Sequence, residues 1–221
     1  CWASTVAWPR RPRSARSSLD APARLRQRAG LVSLLEWAAA LTGFVSVWLT
    51  VRQNIWCWPT GLVNVALYVV VFWQARLYAD MGLQVFYAVA ALYGWWAWLH
   101  GGQAGGQLVV TRAPRAWLLG LLTAGTAFGF GLGLLLHALT DASLPWLDSA
   151  LTALSLVAQV LMTRKWIENW ALWIAVDVAY VGMYLYKGLY PTALLYALFL
   201  GLAVLGLREW RGALARSRAE A

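Results

Sequence analysis

The second half of the chain repeats the first at a fixed offset of 112 residues, and this repeat limits the possible folds more than any other feature. Arg52/Arg164, Trp58/Trp170, Tyr68/Tyr180, Leu77/Leu189, Tyr78/Tyr190, Leu83/Leu195, Gly94/Gly206 and Trp98/Trp210 are identical pairs, and Glu36/Asp148 is an acidic match. Repeats of this size, each long enough for several helical spans, are the mark of carriers built from two related bundles around a central site.

Composition points independently to a bilayer. With 61% hydrophobic and 12% charged residues and a mean hydropathy of +0.58, a chain in water would expose large apolar patches. Seven apolar stretches stand out, at 31–51, 56–75, 78–99, 116–137, 145–163, 168–187 and 190–210. Each is close to the ~20 residues that cross ~30 Å of hydrocarbon. The joints between them are short and polar or Gly-marked, such as Arg52-Gln53-Asn54, Gly101-Gly102 and Lys187-Gly188.

Residues 1–30 differ. Seven arginines sit among Pro, Ser and Ala without apolar periodicity, which predicts a disordered basic tail. The tail opens on Cys1 rather than Met, so it carries less weight than the loops as a guide to topology. A basic leader before an apolar run also fits a signal peptide. Removing 31–51, however, would leave the first bundle one helix short of the second.

The expected organisation is therefore a tail at 1–30, a three-helix bundle at 31–100, a linking helix with its loops at 101–144, a second bundle at 145–211 and a C-terminal tail at 212–221. Three spans followed directly by three more would invert the second unit. The extra span at 116–137 turns the chain back, so the fold class expected is an all-α integral membrane protein with seven transmembrane helices in a 3+1+3 parallel repeat. Nine Lys and Arg lie in the loops and C-terminal region on one side, and two on the other when the tail is set aside. This bias puts the C-terminus in the cytoplasm.

Polar groups within spans need a reason to be there. Trp170, Trp173, Asp177, Tyr180 and Tyr184 advance by three or four and share one helical face. Trp58, Gly61, Val65, Tyr68 and Phe72 form the equivalent stripe, with Asn64 adjoining. The third span aligns Asp80, Gln84, Tyr87, Ala91, Gly94 and Trp98, and the seventh aligns Thr192, Tyr196, Phe199, Ala203, Gly206 and Trp210. These faces are expected to meet inside the protein.

The ends of the stripes agree between the halves, and their middles do not. Gly61 stands against Trp173, Asn64 against Val176, Val65 against Asp177 and Gln84 against Tyr196. A symmetric scaffold with an asymmetric polar and aromatic middle suits an asymmetric small ligand, stacked on Trp173 and bonded by the Asn64 and Gln84 amides. The competing reading is interhelical polar glue, a common role for Asn, Gln and Asp in membrane bundles. Asp177 is the mid-span ionisable group, suited to a cation or to pairing with a Tyr. Glu36 and Asp148 suit helix starts, and Gly125, Gly129 and Gly133 form a tandem GxxxG favouring close contact within the chain or between copies in a homo-oligomer.

Several classes are excluded. Two cysteines, Cys1 and Cys57, make neither a disulfide framework nor a metal site. No GxxxxGK[ST] run for nucleotide phosphates occurs, no cofactor motif is present, and the basic tail has no aromatic interleaving for nucleic acid. A membrane enzyme would need His, Cys or paired carboxylates clustered at one face. His100 and His137 are isolated at span ends.

The runs Trp58-Pro-Thr-Gly61-Leu-Val-Asn64, Leu77-Tyr78, Leu83-Gln84-Val-Phe86, Tyr93-Gly-Trp-Trp-Ala-Trp98 and Met162-Thr-Arg-Lys-Trp-Ile-Glu-Asn-Trp170-Ala-Leu-Trp173 resemble the PnuC family of nicotinamide riboside transporters over about 33–211. The resemblance implies a full-length SWEET-like fold and facilitated vitamin uptake across the bacterial inner membrane, with cytosolic phosphorylation trapping the product. It puts Asn64, Gln84, Trp173 and Asp177 at the ligand, supported by Trp170 and Tyr180. Ala91 and Asp177 stand where nicotinamide riboside carriers are expected to have amides, which leaves thiamine and riboflavin open as substrates. Fold alone also leaves open a SWEET-like sugar carrier. Both nicotinamide riboside and thiamine are cationic heteroaromatics that suit a Trp beside a carboxylate; riboflavin is neutral and larger.

Overall fold

The computed structural model describes residues 21–75, 78–102, 105–140 and 144–219. Residues 1–20 of the expected tail, Leu77, and the side chains of Glu36, Tyr78 and Asp80 lie outside the described part. Seven helices are present among the described residues: α1 (Ala21–Val51), α2 (Cys57–Ala75), α3 (Tyr78–His100), α4 (Arg115–Leu139), α5 (Pro145–Thr163), α6 (Glu168–Tyr186) and α7 (Tyr190–Ala219).

Local chemistry sets several of the boundaries. α5 starts on Pro145, whose missing N–H belongs to the unbonded first turn in any case. α6 ends where Gly188 turns left-handed at φ +69°. Leu189 N–H then reaches back to the Tyr184 carbonyl and Gly188 N–H to that of Leu185, at 2.8 and 3.1 Å, which closes the helix end without Cβ strain.

Two boundaries differ from expectation. α1 begins at Ala21, so residues 21–30 of the expected tail are helical, and α7 runs to Ala219 through most of the expected C-terminal tail. Apolarity set the expected limits, whereas helix formation follows backbone propensity. Both extensions are rich in Ala and Arg, strong helix formers whatever their polarity.

Four helices are long and apolar enough to cross a membrane among the described residues, at Cys57–Gln74, Arg115–Leu139, Pro145–Thr163 and Tyr190–Ser217, and Trp37–Val51 is a shorter apolar segment. α3 and α6 match these in length but carry Tyr, Trp, Gln and Asp on one face. Those polar handles lower their hydropathy, although the rings themselves are largely apolar.

The repeat persists into atomic detail. α1 packs on α2 and α2 on α3, just as α5 packs on α6 and α6 on α7, and the halves join through α1 against α7 and α3 against α5. In each half an indole of the second helix lies where a glycine of the third leaves room. A Cβ at Gly94 would collide with Trp58, and one at Gly206 with Trp170. The same indoles meet Trp98 and Trp210 edge to face, at 5.3 Å and 88° in one half and 5.4 Å and 90° in the other.

The joints repeat as well. Gln53 and Lys165, at the repeat offset, are the two non-glycine residues with positive φ, +53° and +51°, among the described residues. Each donates its N–H to the residue three back, Thr50 and Met162, at 3.0 Å. Trp98 Nε1 then donates to the Met162 carbonyl and Trp210 Nε1 to that of Thr50, both at 3.2 Å. Thr50 and Met162 are themselves a repeat pair, so each half clasps the other in the same way.

α4 packs on α5. Its glycine stripe is used within the chain, where Cβ atoms at Gly125, Gly129 and Gly133 would press on Val157, Ala153 and Trp146. The strand-like segment before α4 bridges at Thr111 to Trp166, which ties the linker to the α5–α6 joint.

Candidate functional site

The stripes read from the sequence are the buried faces. Trp170, Trp173, Asp177, Tyr180 and Tyr184 on α6, Gln84, Tyr87, Ala91 and Trp98 on α3, and Tyr196, Phe199, Ala203 and Trp210 on α7 are all buried. Between α1, α5, α6 and α7 these faces leave a cavity. α6 supplies Trp170, Trp173, Val176 and Asp177; α7 supplies Tyr196, Phe199 and Ala203; Val47, Thr50 and Met162 complete it. Its water-accessible volume is about 30 Å³, room for a few ordered waters at most. The space is narrow, so helices or side chains would have to move apart to seat a vitamin there.

The electrostatics of the cavity are simple. Asp177, 6% exposed, is its one acidic lining residue. Trp173, 7% exposed, precedes it by four residues on the same face of α6. A carboxylate one turn from an indole offers charge neutralisation and stacking to one planar cation. Behind them, the Tyr196 ring contacts Tyr180 at 4.7 Å and Tyr184 at 5.2 Å, which fixes the α7 wall against α6.

Three of the six candidate residues therefore line one cavity: Trp170, Trp173 and Asp177. Tyr180 stands behind Tyr196 rather than on the surface of the cavity. Asn64 does not line it; its Nδ2 donates to the Ala39 carbonyl and to Thr42 Oγ1, tying α2 to α1. Gln84 is buried on α3 outside this lining. Tyr196, Phe199, Thr50 and Met162 were not among the candidates. Tyr196 could have been found as the non-matching partner of Gln84, whereas Thr50 and Met162 differ in type and enter only through their position at helix ends.

The clasp borders the cavity, since its lining residues Thr50 and Met162 carry the carbonyls that Trp210 and Trp98 hold. Beyond the clasp, Lys165 Nζ sits 4.3 Å from the Trp98 ring centroid and donates to the Leu108 carbonyl at 2.8 Å. Burial pushes this ammonium down to about 8, with the nearby Cys57 thiol opposing the shift. No group of three or more His, Cys, Asp or Glu that could hold a metal occurs among the described residues.

Comparison with known proteins shows the family. A family profile described as Nicotinamide mononucleotide transporter matches residues 33–212. The chain belongs to this transporter family. It is 32% identical over 204 residues to the nicotinamide riboside transporter PnuC of Escherichia coli (strain K12), covering 81% of this chain and 85% of that protein. It is 26% identical over 173 residues to the riboflavin/roseoflavin transporter RibM of Streptomyces davaonensis, covering 77% and 81%. Among solved structures, a crystal structure of the vitamin B3 transporter PnuC aligns with a TM-score of 0.65 at 25% identity, covering 91% of this chain and 94% of that one.

Proposed function

We propose that this chain carries nicotinamide riboside across the bacterial inner membrane as a uniporter, by alternating access at the cavity around Trp173 and Asp177. The observation that carries the reading is that indole and carboxylate, one turn apart on α6, line a single cavity in a chain whose relatives include nicotinamide riboside transporters. The pyridinium of the riboside is planar and cationic, so one contact face answers both properties.

All seven helices are read as spans in a 3+1+3 parallel arrangement of the SWEET type. The clasp supports parallel units. It joins equivalent positions at the C-terminal ends of α1 and α5, and an axis lying in the membrane plane would instead bring equivalent positions together at mid-span. The C-terminus is read as cytoplasmic from the loop charges, and the narrow cavity as an occluded state with the clasp as its cytoplasmic gate.

Asp177 itself favours a second reading. Thiamine is also a cationic heteroaromatic, and a carboxylate stands where nicotinamide riboside carriers are expected to have an amide. Binding titrations of the purified protein with nicotinamide riboside, thiamine and riboflavin separate the cases. The primary reading expects nicotinamide riboside to bind tightest; tighter thiamine would transfer the assignment, and riboflavin alone would sink both.

A further inference from the structure

The cavity touches both members of one repeat pair, Thr50 and Met162, so it reaches the local axis that relates the halves. Every lining residue then has a mate across that axis. The mate of Val47 is Gln159 and the mate of Phe199 is Tyr87. Two apolar walls in one lobe are thus replaced by two polar side chains in the other, on helices α5 and α3, which pack together.

Both replacements are enclosed, with Gln159 1% and Tyr87 6% exposed. Among the described residues, neither Gln159 Oε1 nor Tyr87 Oη has a hydrogen-bond partner. Buried polar atoms are nearly always bonded, and an orphan is destabilising. The Trp58 and Trp170 indole N–H groups are also orphaned, but they form a repeat pair and so reflect a packing solution shared by both halves. Gln159, Tyr87 and Asn169 are orphaned in one half only. The mate of Asn169 is Cys57, outside the lining, whereas Gln159 and Tyr87 are the mates of cavity-lining residues. Packing by itself would favour apolar groups there, as at Val47 and Phe199.

We propose that Gln159 and Tyr87 form a second lobe of the central site, which binds the hydroxyl-bearing part of the substrate while Trp173 and Asp177 hold its ring. A carbonyl acceptor and a phenol that both donates and accepts match vicinal hydroxyls, which likewise donate and accept. The lobe has no charge requirement, so the ring's cation stays with Asp177. This assignment rests on the riboside reading above and adds to it where the sugar lies.

The test compares nicotinamide riboside with N1-methylnicotinamide, which keeps the cationic ring and lacks the hydroxyls, in wild type, Gln159→Leu and Tyr87→Phe. Each variant should bind the riboside about three- to tenfold more weakly, the effect of one uncharged hydrogen bond. Binding of N1-methylnicotinamide should stay the same. The melting temperature of the unliganded protein should hold or rise, because an orphan has been removed. Unchanged riboside affinity, or equal losses for both ligands, would overturn the second lobe while leaving the riboside reading intact. A wild type that binds both ligands equally would instead overturn the riboside reading itself, and the lobe with it.

Discussion

In the function proposed above, Asp177 is the residue on which the choice of substrate turns. Asp177→Asn keeps its shape and hydrogen-bonding capacity and removes its charge, so a cation in the enclosed cavity should lose on the order of tenfold or more in affinity. Neutral riboflavin should not. The measurement is the ratio of dissociation constants for thiamine or nicotinamide riboside against riboflavin in wild type and variant, and an unchanged ratio would remove Asp177 from ligand binding. Lys165 provides a pH test. Its folded value of about 8 lies below the ordinary 10.5, so between these values the unfolded chain binds the extra proton and stability rises with pH. The melting temperature of wild type should therefore gain more between pH 7 and 9.5 than that of Lys165→Met; parallel curves would mean the ammonium carries no burial penalty. The α6 wall of this cavity was legible in the sequence, because Trp170, Trp173 and Asp177 share one helix and their spacing fixes their common face. Asn64 was not legible in the same way. Its amide is used on the α1 backbone, a partner that periodicity within α2 cannot reveal.

Among helices, the repeat gave the pairing of elements, since identical residues at a constant offset require equivalent neighbours. It could not give the reciprocal bonds from Trp98 to Met162 and from Trp210 to Thr50. Their acceptors are carbonyls, which leave no trace in side-chain identity, and the left-handed turns at Gln53 and Lys165 have no glycine to signal them. The clasp carries its own prediction. Trp98→Phe and Trp210→Phe keep the rings and delete the donors, so each should favour the opened state by about 1 kcal/mol, or roughly fivefold in population. Cys57, buried beside this joint, is the reporter once Cys1 is replaced by Ser. Its labelling by a membrane-impermeant thiol reagent should speed up by about that factor in each variant, with ligand suppressing the gain. Labelling that stays at the wild-type rate while thermal stability falls would make the clasp a static brace.

For the whole molecule, the question is what drives net movement. The two halves meet at the clasp and along α1–α7 and α3–α5, so the alternating access proposed above would take the form of one half rocking against the other about the cavity. A monocationic substrate then needs no second ion. An inside-negative potential of ~100 mV contributes ~2.3 kcal/mol per charge, enough for roughly fifty-fold accumulation. In proteoliposomes holding the full chain, uptake of nicotinamide riboside should therefore follow an imposed potassium-diffusion potential and reverse when the potential is reversed. ATP and a transmembrane pH or sodium difference should have no effect at constant voltage. Riboflavin, which is neutral, should respond to its concentration gradient alone if it is carried at all. Asp177 gives the experiment a second edge, because a buried carboxylate at the proposed substrate site is also where a coupled proton would bind. Uptake that tracks the pH difference in wild type, and loses that dependence in Asp177→Asn, would replace uniport with proton symport and make Asp177 the coupling group.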